Sequence, residues 1–222
     1  MTLNILVFLG SVRISGPPTP ARLGQRVALC CAQQLTALQH NVTVIDPLDY
    51  DLGASFKPCF SYKAGAAPEP LQQLAELIKA ADGFVMVSPE YNHSMSPALA
   101  NLLNHFGSSL FSYKPSAIVT YSAGQWGGVR AAINMRSFLS ELGCLPVSAM
   151  IHLPKAQEVL TAEGEYSAGV NASDWDGYFS RTFSQLTWWA SAAKQYEQSE
   201  GSNLKPGAFT RNPAQRNAPS SS

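Results

Sequence analysis

Residues 10–16 combine side chains and backbone groups that can bind an anion. This segment, Gly-Ser-Val-Arg-Ile-Ser-Gly, follows an apolar run and precedes a helical pattern. Free backbone N–H groups and the helix dipole favour an anion at such a junction. Ser11 and Ser15 can donate hydrogen bonds, Arg13 can bind phosphate with two N–H groups, and Arg22 adds positive charge. The segment contains neither GxGxxG nor GxxxxGK[ST], so a loop with solvated arginines is the alternative interpretation.

The segment Ser-Pro-Glu-Tyr-Asn at residues 88–92 follows another apolar run and offers contacts for a flat, polar ring. Pro89 has no N–H group, and we expect it to end strand pairing at this point. Tyr91 offers an aromatic face, and the amide of Asn92 can both donate and accept hydrogen bonds. A strand-to-helix turn with a surface tyrosine is the alternative interpretation of these residues.

A glycine-rich segment at residues 122–130 follows a third apolar run. Its three glycines permit positive φ angles and allow backbone N–H groups to approach a ligand closely. Gln125 adds an amide group, and Trp126 adds a large flat face. Two adjacent glycines before a helix are more than a flexible turn requires, so we favour a functional role for this segment.

Strand-like and helix-like patterns alternate around these three segments. Apolar runs predict five strands, at residues 4–9, 42–45, 84–87, 117–121 and 146–151. Apolar stripes with helical spacing predict five helices, at residues 23–38, 71–81, 97–106, 131–142 and 175–189. This alternation indicates right-handed crossovers and an α/β fold, with a parallel sheet covered by helices on both faces.

The order of these elements predicts where a ligand binds. In a doubly wound sheet, ligands bind beyond the carboxyl ends of the strands, at the point where strand order reverses. The three segments follow the first, third and fourth predicted strands, so we expect them to meet at one cleft. That cleft would combine a phosphate site, an aromatic wall and a glycine-lined backbone edge. A phosphorylated planar cofactor matches this combination.

Composition and charge restrict the class of protein. The chain has 222 residues, of which 45% are hydrophobic and 14% charged. This favours a single globular domain, assigned to residues 1–196, with a polar and disordered tail at residues 197–222. The net charge of +0 argues against nucleic acid and anionic membrane partners. No apolar run is long enough to span a membrane, and four cysteines without regular spacing are typical of a reduced, cytoplasmic protein.

Three motifs resemble the signature loops of the NAD(P)H-dependent FMN reductases, a family that includes quinone, azo-dye and chromate reductases. They are Gly10-Ser11-Val12-Arg13, Pro89-Glu90-Tyr91-Asn92 and Ser122-Ala123-Gly124-Gln125-Trp126-Gly127-Gly128. The similarity extends in order and spacing from Leu3 to Ile151. It implies a flavodoxin-like, doubly wound, five-stranded parallel sheet with strand order 2-1-3-4-5 and helices on both faces.

The resemblance implies FMN ligands in all three loops. Ser11 and Arg13 would bind the phosphate, with Arg22, Ser15 and Thr19 as alternatives because three prolines lengthen the first loop. One group of residues would contact the ribityl chain and the isoalloxazine: Pro89, Glu90, Tyr91 and Asn92. Another group would line the pyrimidine edge of the ring: Ser122, Ala123, Gly124, Gln125, Trp126 and Gly127.

The resemblance also implies an FMN-dependent oxidoreductase that uses NADPH or NADH. Such an enzyme reduces quinones, flavins or related small acceptors by two-electron, ping-pong hydride transfer. We assign no catalytic side chain, because the flavin N5 atom carries the chemistry. Backbone N–H groups at residues 124–128, at a helix N-terminus, would stabilise negative charge on the N1–C2 edge of the ring. The family commonly forms dimers or tetramers, so we expect a homodimer or homotetramer.

Other functions require the same cofactor loops. The main alternative is an FMN-binding redox sensor or scaffold that binds a protein partner and has low turnover. A one-electron carrier is a further alternative. The spacing of histidines and cysteines predicts no metal site. Residues 48–67 form a long segment without periodicity, which is usually functional, and its aromatic residues can cover a flavin or pack at an interface.

Overall fold

A parallel sheet forms the centre of the fold. The structure is a computed structural model that describes residues 1–201 and 204–210. The strands are β1 (Asn4–Leu9), β2 (Asn41–Ile45), β3 (Gly83–Tyr91), β4 (Ser94–Met95), β5 (Pro115–Tyr121), β6 (Leu145–Pro146) and β7 (Ile151–Leu153). The helices are α1 (Leu23–Ala37), α2 (Glu69–Ala80), α3 (Pro97–Asn104), α4 (Val129–Leu142), α5 (Ala156–Val159), α6 (Ala172–Tyr196) and α7 (Gly207–Thr210).

The strand order confirms the predicted fold. The sheet runs β2-β1-β3-β5-β6, with β7 also paired to β5 and β4 paired to β3. All pairs are parallel except the short β3–β4 hairpin. The chain moves outward from β1 to β2 and then crosses back to β3, so strand order reverses between β1 and β3. The carboxyl ends of β1, β3 and β5 therefore lie side by side at one edge of the sheet.

Pro89 does not end strand pairing, contrary to the sequence prediction. Strand β3 continues to Tyr91, and Pro89 faces Tyr121 of β5 in the parallel register. The carbonyl of Val87 accepts a hydrogen bond from Gly10 on the β1 side. Because backbone groups alternate between the two neighbours of a strand, the nitrogen of Pro89 faces the same side, beyond the end of β1. Its missing N–H group therefore removes no hydrogen bond to β5.

The predicted fifth strand at residues 146–151 is divided into β6 and β7. Between them, side chains of neighbouring helices bind three backbone groups of residues 147–149. Arg136 donates to the carbonyls of Val147 (2.9 Å) and Ser148 (2.6 Å), and Gln185 accepts from the N–H of Ala149 (3.1 Å). The amide of Val147 still donates to the carbonyl of Ser116 in β5 (2.9 Å), so pairing with the sheet is lost only after this residue. The contacts from the two helices have no local sequence signal.

Two apolar cores lie on opposite faces of the sheet. Alternate residues of each strand point to opposite faces, which explains why the central strands are continuous apolar runs. The core under α1 and α6 includes Val7, Val85, Val119, Val27 and Phe183. The core under α2, α3 and α4 includes Phe8, Phe84, Ile118, Leu74 and Met135. The sheet is thus covered on both faces, and the edge at the carboxyl ends of the strands remains for a site.

The C-terminal segment contains further helical turns. A π-helical turn (Glu197–Gly201) follows α6, and the ring of Phe209 in α7 lies edge-on to Tyr113. A disordered tail over residues 197–222 stays a prediction, and residues 202–203 and 211–222 lie outside the described residues. No helix in the described part of the chain is long and apolar enough to cross a membrane.

Candidate functional site

A cleft of about 210 Å³ lies at the carboxyl ends of β1, β3 and β5. Most of the predicted site residues line it: Ser11, Arg13, Arg22, Pro89, Glu90, Tyr91, Ser122 and Ala123. The remaining predicted residues are neighbours of these in the chain and do not line the cleft: Asn92, Gly124, Gln125, Trp126 and Gly127. The structure therefore brings parts of all three predicted loops together.

A larger cavity of about 590 Å³ lies elsewhere, where the start of β5 meets α6 and α7. Tyr113, Trp189 and Phe209 line it, and its lining includes no charged side chain. The cleft at the carboxyl ends is smaller but combines arginines, serines and a glutamate. We place the functional site there because convergent polar groups fix the orientation of a ligand.

The first loop (residues 10–22) presents unpaired backbone N–H groups. The amide of Gly10 donates to the carbonyl of Val87 (2.8 Å), and the amide of Arg13 donates to the hydroxyl of Ser11 (3.4 Å). The N–H groups at residues 11, 12 and 14–16 donate no hydrogen bond within the described part of the chain. Helix α1 begins directly after this loop and has no side-chain cap. Such a group of donors at a helix N-terminus favours a phosphate.

The two arginines of the first loop differ in their partners. Arg22 donates to both carboxylate oxygens of Asp46 at 2.5 Å and to the carbonyl of Ser11 at 3.1 Å. Arg13 is exposed, and its Nε atom donates to the carbonyl of Ser15 (3.2 Å). Arg22 thus fastens the loop to the end of β2, while the rest of the Arg13 guanidinium remains available to a ligand.

Tyr121 is a residue of the cleft that the sequence analysis missed. It ends β5, is buried, and its hydroxyl forms a hydrogen bond with the side chain of Ser11. Burial raises the pKa of Tyr121, and the Ser11 hydrogen bond opposes that shift. A Cβ atom on Gly24 would lie 2.4 Å from the Tyr121 hydroxyl, so only glycine fits there. A glycine in the first turn of α1 was the available signal.

The second loop is a tight hairpin. Asn92 and His93 have positive φ angles of 51° and 63°, which a two-residue turn between antiparallel strands requires. The buried hydroxyl of Ser88 accepts from the amide of Ser96 (2.9 Å) and donates to the carbonyl of Pro89 (2.8 Å). These two hydrogen bonds of Ser88 therefore fix the base of the hairpin. Tyr91, which is 39% exposed, projects from it and offers an accessible ring beside the cleft.

The glycine-rich loop (residues 122–128) is fixed by its own hydrogen bonds. The Ser122 hydroxyl donates to the carbonyl of Gly124 (2.8 Å) and accepts from the amide of Gly127 (2.9 Å). The amide of Lys155 also donates to the Gly124 carbonyl (2.8 Å). The N–H groups at residues 123–126 donate to no acceptor among the described residues. The loop therefore presents a row of free donors from a fixed backbone.

His152 lies beneath the glycine-rich loop. Its Nδ1 atom is 2.7 Å from the hydroxyl of Thr120, and its backbone amide donates to the hydroxyl of Tyr178 (2.9 Å). A Cβ atom on Gly127 would lie 3.2 Å from the His152 Cβ atom. Burial lowers the pKa of His152, and the positive charge of Arg181 lowers it further. This histidine supports the loop from inside the protein.

The N-terminus of α4 is already bound by a carboxylate. Glu90 accepts hydrogen bonds from the backbone amides of Arg130 (3.1 Å) and Ala131 (3.3 Å). Glu90 therefore occupies amides of the first helical turn. Within the glycine-rich loop, the amide of Gly127 is bound to Ser122, and the amides at residues 123–126 and 128 have no acceptor among the described residues.

The fold and the cleft together define a flavodoxin-like cofactor-binding protein. The family model described as NADPH-dependent FMN reductase matches residues 3–158. The chain belongs to this family, as its three loops predicted.

Comparisons with individual proteins agree with this assignment. The chain is 37% identical over 92 residues to an NADPH azoreductase of Bacillus sp. (strain OY1-2), covering 41% of this chain and 52% of the relative. It is 39% identical over 75 residues to a quinone reductase of Escherichia coli (strain K12), covering 32% and 40%. The chain thus spans about half the length of the curated relatives it matches.

A solved structure shows the same fold. The flavoenzyme NAD(P)H:(acceptor) oxidoreductase FerB from Paracoccus denitrificans has a TM-score of 0.64 and 18% identity. The match covers 84% of this chain and 98% of that structure. At this level of identity the similarity concerns the fold alone.

The residues of the cleft fit FMN. Unpaired amides at residues 11, 12 and 14–16 and the free part of the Arg13 guanidinium match a phosphate dianion. Unpaired amides at residues 123–126 match the carbonyl oxygens and ring nitrogens of a pyrimidine edge. Tyr91 supplies an exposed aromatic ring beside the cleft. Donor groups and an aromatic surface therefore occur where a phosphorylated flat molecule needs them.

Proposed function

We propose that this protein is an FMN-dependent oxidoreductase that uses NADPH or NADH to reduce quinones, flavins or related small acceptors. One observation carries the proposal: loops from β1, β3 and β5 meet at a single cleft, with unpaired backbone donors in both the first loop and the glycine-rich loop. Membership of the NADPH-dependent FMN reductase family supports the same cofactor.

Each loop has a distinct role in holding FMN under this proposal. The amides of residues 11–16 and Arg13 bind the phosphate. Tyr91 and Asn92 contact the ribityl chain and the ring. The amides of residues 123–126 donate to the pyrimidine edge, and Ser122 keeps that backbone in place through its two hydrogen bonds.

The chain itself orients the cofactor and stabilises charge. When bound, FMN supplies the redox chemistry by accepting two electrons and a proton from NAD(P)H and passing them to the acceptor. The fixed donors of residues 123–126 stabilise negative charge near them, since preorganised dipoles need no rearrangement. Tyr91 lines the cleft and is 39% exposed, so the cleft is open to solvent beside it. A single open cleft would favour successive binding of NAD(P)H and acceptor, which is a ping-pong sequence.

We further propose a homodimer or homotetramer in the cytoplasm. Trp126, Val129 and Ile133 are exposed in the glycine-rich loop and in the first turns of α4, and exposed apolar side chains close together in the chain favour a subunit contact. All four cysteines are unpaired, and burial raises the pKa of Cys30 and Cys144 to about 12. Unpaired and unreactive thiols are typical of a reducing compartment.

Steady-state kinetics test this function. The FMN-loaded protein is assayed for NADPH and NADH oxidation with a benzoquinone and with free riboflavin at varied concentrations of both substrates. We expect FMN-dependent turnover and parallel lines in double-reciprocal plots. Converging lines would contradict the ping-pong sequence. Turnover that stays slow with every acceptor would favour the redox sensor or scaffold instead.

A further inference from the structure

The carboxylate of Glu90 lies at the boundary between the cleft and α4. Its Oε2 atom accepts hydrogen bonds from the backbone amides of Arg130 (3.1 Å) and Ala131 (3.3 Å). Its Oε1 atom accepts from Nη1 of Arg130 at 3.4 Å. Only 14% of the Glu90 side chain is exposed. This carboxylate is therefore held in one position and is not a freely solvated surface charge.

Helix α4 has no capping side chain of its own. Gly128 precedes its first residue with a φ of +78°, so the usual acceptor at this position is missing. The N–H groups of a first helical turn need acceptors from outside the helix. Here the acceptor comes from the end of β3, 40 residues earlier in the chain. Glu90 thus joins the second loop of the cleft to the helix that follows the glycine-rich loop.

Arg130 extends this connection to Trp126. Its guanidinium carbon lies 5.5 Å from the centroid of the Trp126 ring, a distance at which a cation and an aromatic face attract each other. The same guanidinium donates to Glu90. The position of Trp126, an exposed residue of the glycine-rich loop, therefore depends on Glu90 through Arg130.

The negative charge of Glu90 also changes the electrostatics of the cleft. An uncapped helix N-terminus favours an anion, but the Glu90 carboxylate already occupies this one. Glu90 also lines the cleft itself. FMN becomes more negative on reduction, and like charges repel each other. A carboxylate beside the cleft therefore disfavours the reduced form of the cofactor.

We propose that Glu90 is a positioning residue that holds the glycine-rich loop through α4 and lowers the reduction potential of bound FMN through its charge. This inference rests on the proposed binding of FMN.

Three variants test the role of the charge. Glu90→Gln keeps an acceptor oxygen and removes the charge. Arg130→Gln removes the paired cation, so the midpoint potential should change in the opposite direction. Glu76→Gln removes a carboxylate from the exposed side of α2 and is the matched control. The full-length proteins are loaded with FMN, and their midpoint potentials are measured anaerobically against a reference dye.

We expect Glu90→Gln to raise the affinity for reduced FMN relative to oxidised FMN about tenfold. Such a change raises a two-electron potential by about 30 mV. Arg130→Gln should lower the potential, and Glu76→Gln should leave the affinity ratio within about twofold of wild type. An unchanged or lower potential in Glu90→Gln, or an equal rise in Glu76→Gln, would overturn the proposal.

A fourth variant tests positioning. Glu90→Ala removes both the charge and the acceptor, so we expect it to lower the affinity for oxidised FMN about tenfold. Glu90→Gln keeps an acceptor, so we expect it to retain most of the wild-type affinity. Equal affinities in Glu90→Ala and wild type would overturn the positioning role. Wild-type protein that binds no FMN would overturn the proposed function and this inference together. If the wild-type protein binds FMN and the Glu90 variants match it in FMN affinity and midpoint potential, the inference alone is overturned.

Discussion

The first loop and the glycine-rich loop lie at the same edge of the sheet but are held in different ways. In the glycine-rich loop, the Ser122 hydroxyl bridges the Gly124 carbonyl and the Gly127 amide, and the Lys155 amide donates to the same Gly124 carbonyl. In the first loop, five of the amides between residues 11 and 16 have no partner within the described chain, and Arg22 is the main anchor. Both loops present free donors, but the glycine-rich loop is fixed by its own hydrogen bonds, whereas the first loop has few internal bonds to hold its donors in place.

This difference suggests how the site divides its binding energy. A rigid loop loses little conformational freedom on binding, so its contacts contribute to orientation. A loop with free donors must be ordered by the ligand, and a phosphate dianion forms strong, charge-assisted hydrogen bonds. We therefore expect the glycine-rich loop to set the position of the ring and the first loop to select the phosphate.

The largest expected effect is at Gly128, where a rigid backbone tolerates no side chain. Its φ is +78°, and a Cβ atom would lie 2.9 Å from the Cβ atom of Thr120. We expect Gly128→Ala to lower the free energy of unfolding of the apoprotein by about 2 kcal/mol in urea. Gly124→Ala is the matched control, because a Cβ atom there meets nothing within 4 Å. Equal losses in the two variants would contradict the rigidity of this backbone.

The next prediction distinguishes binding of the FMN phosphate from binding of the flavin ring. Arg13→Ala removes a guanidinium that is free to bind the phosphate, so we expect FMN affinity to fall about tenfold or more. Riboflavin has the same ring and no phosphate, and its affinity should change by less than about twofold. Fluorescence titration measures both dissociation constants. A similar loss for both ligands would break the assignment of the first loop to the phosphate.

Ser122 gives the complementary result with a smaller effect. Ser122→Ala removes the hydroxyl that joins Gly124 and Gly127, and we expect about a fivefold loss of affinity, close to 1 kcal/mol. FMN and riboflavin should lose the same factor, because the ring is common to both. Ser137→Ala, on the exposed side of α4, is the control. A loss confined to FMN would reverse the roles of the two loops.

The smallest effect is a pH dependence from His152. Burial and Arg181 lower the pKa of His152 in the folded protein below its ordinary value of 6.5. As pH falls through 6.5, the unfolded chain binds a proton that the folded chain resists, so the folded state loses stability. Urea unfolding of the apoprotein at several pH values should show a weaker acid loss in His152→Gln. His93→Gln, in the exposed hairpin turn, is the control and should lose as much stability in acid as wild type. An acid loss in His152→Gln equal to that of wild type would contradict the role of His152.

The sequence predicted the elements whose signals are local. Strands β1, β3 and β5 are buried on both faces and so appear as continuous apolar runs. Helix α3 begins at Pro97, as the helical spacing predicted, and the hydroxyl of Ser96 caps it. These signals predicted the alternating α/β fold and the edge of the sheet that carries the cleft, and the family resemblance of the three loops implied the strand order.

Contacts between distant parts of the chain could not be predicted in this way. The bonds of Glu90 to α4 span 40 residues, and the Arg22–Asp46 pair spans 24. In the sequence, each of these charged residues is indistinguishable from one that is exposed to solvent. The backbone of residues 147–149 is bound by Arg136 and Gln185 from two helices, so an apolar run there did not become one strand. The buried position of Tyr121 likewise depends on the close approach of Gly24 in α1 to its hydroxyl.

An anaerobic FMN titration tests the central claim most directly, namely that the three loops form one FMN site. The apoprotein is titrated with FMN, freed of unbound cofactor, and its absorbance spectrum is recorded before and after addition of NADPH. We predict one FMN per chain and a flavin band that bleaches on addition of NADPH. A protein that takes up no FMN, even at high cofactor concentration, would contradict the account.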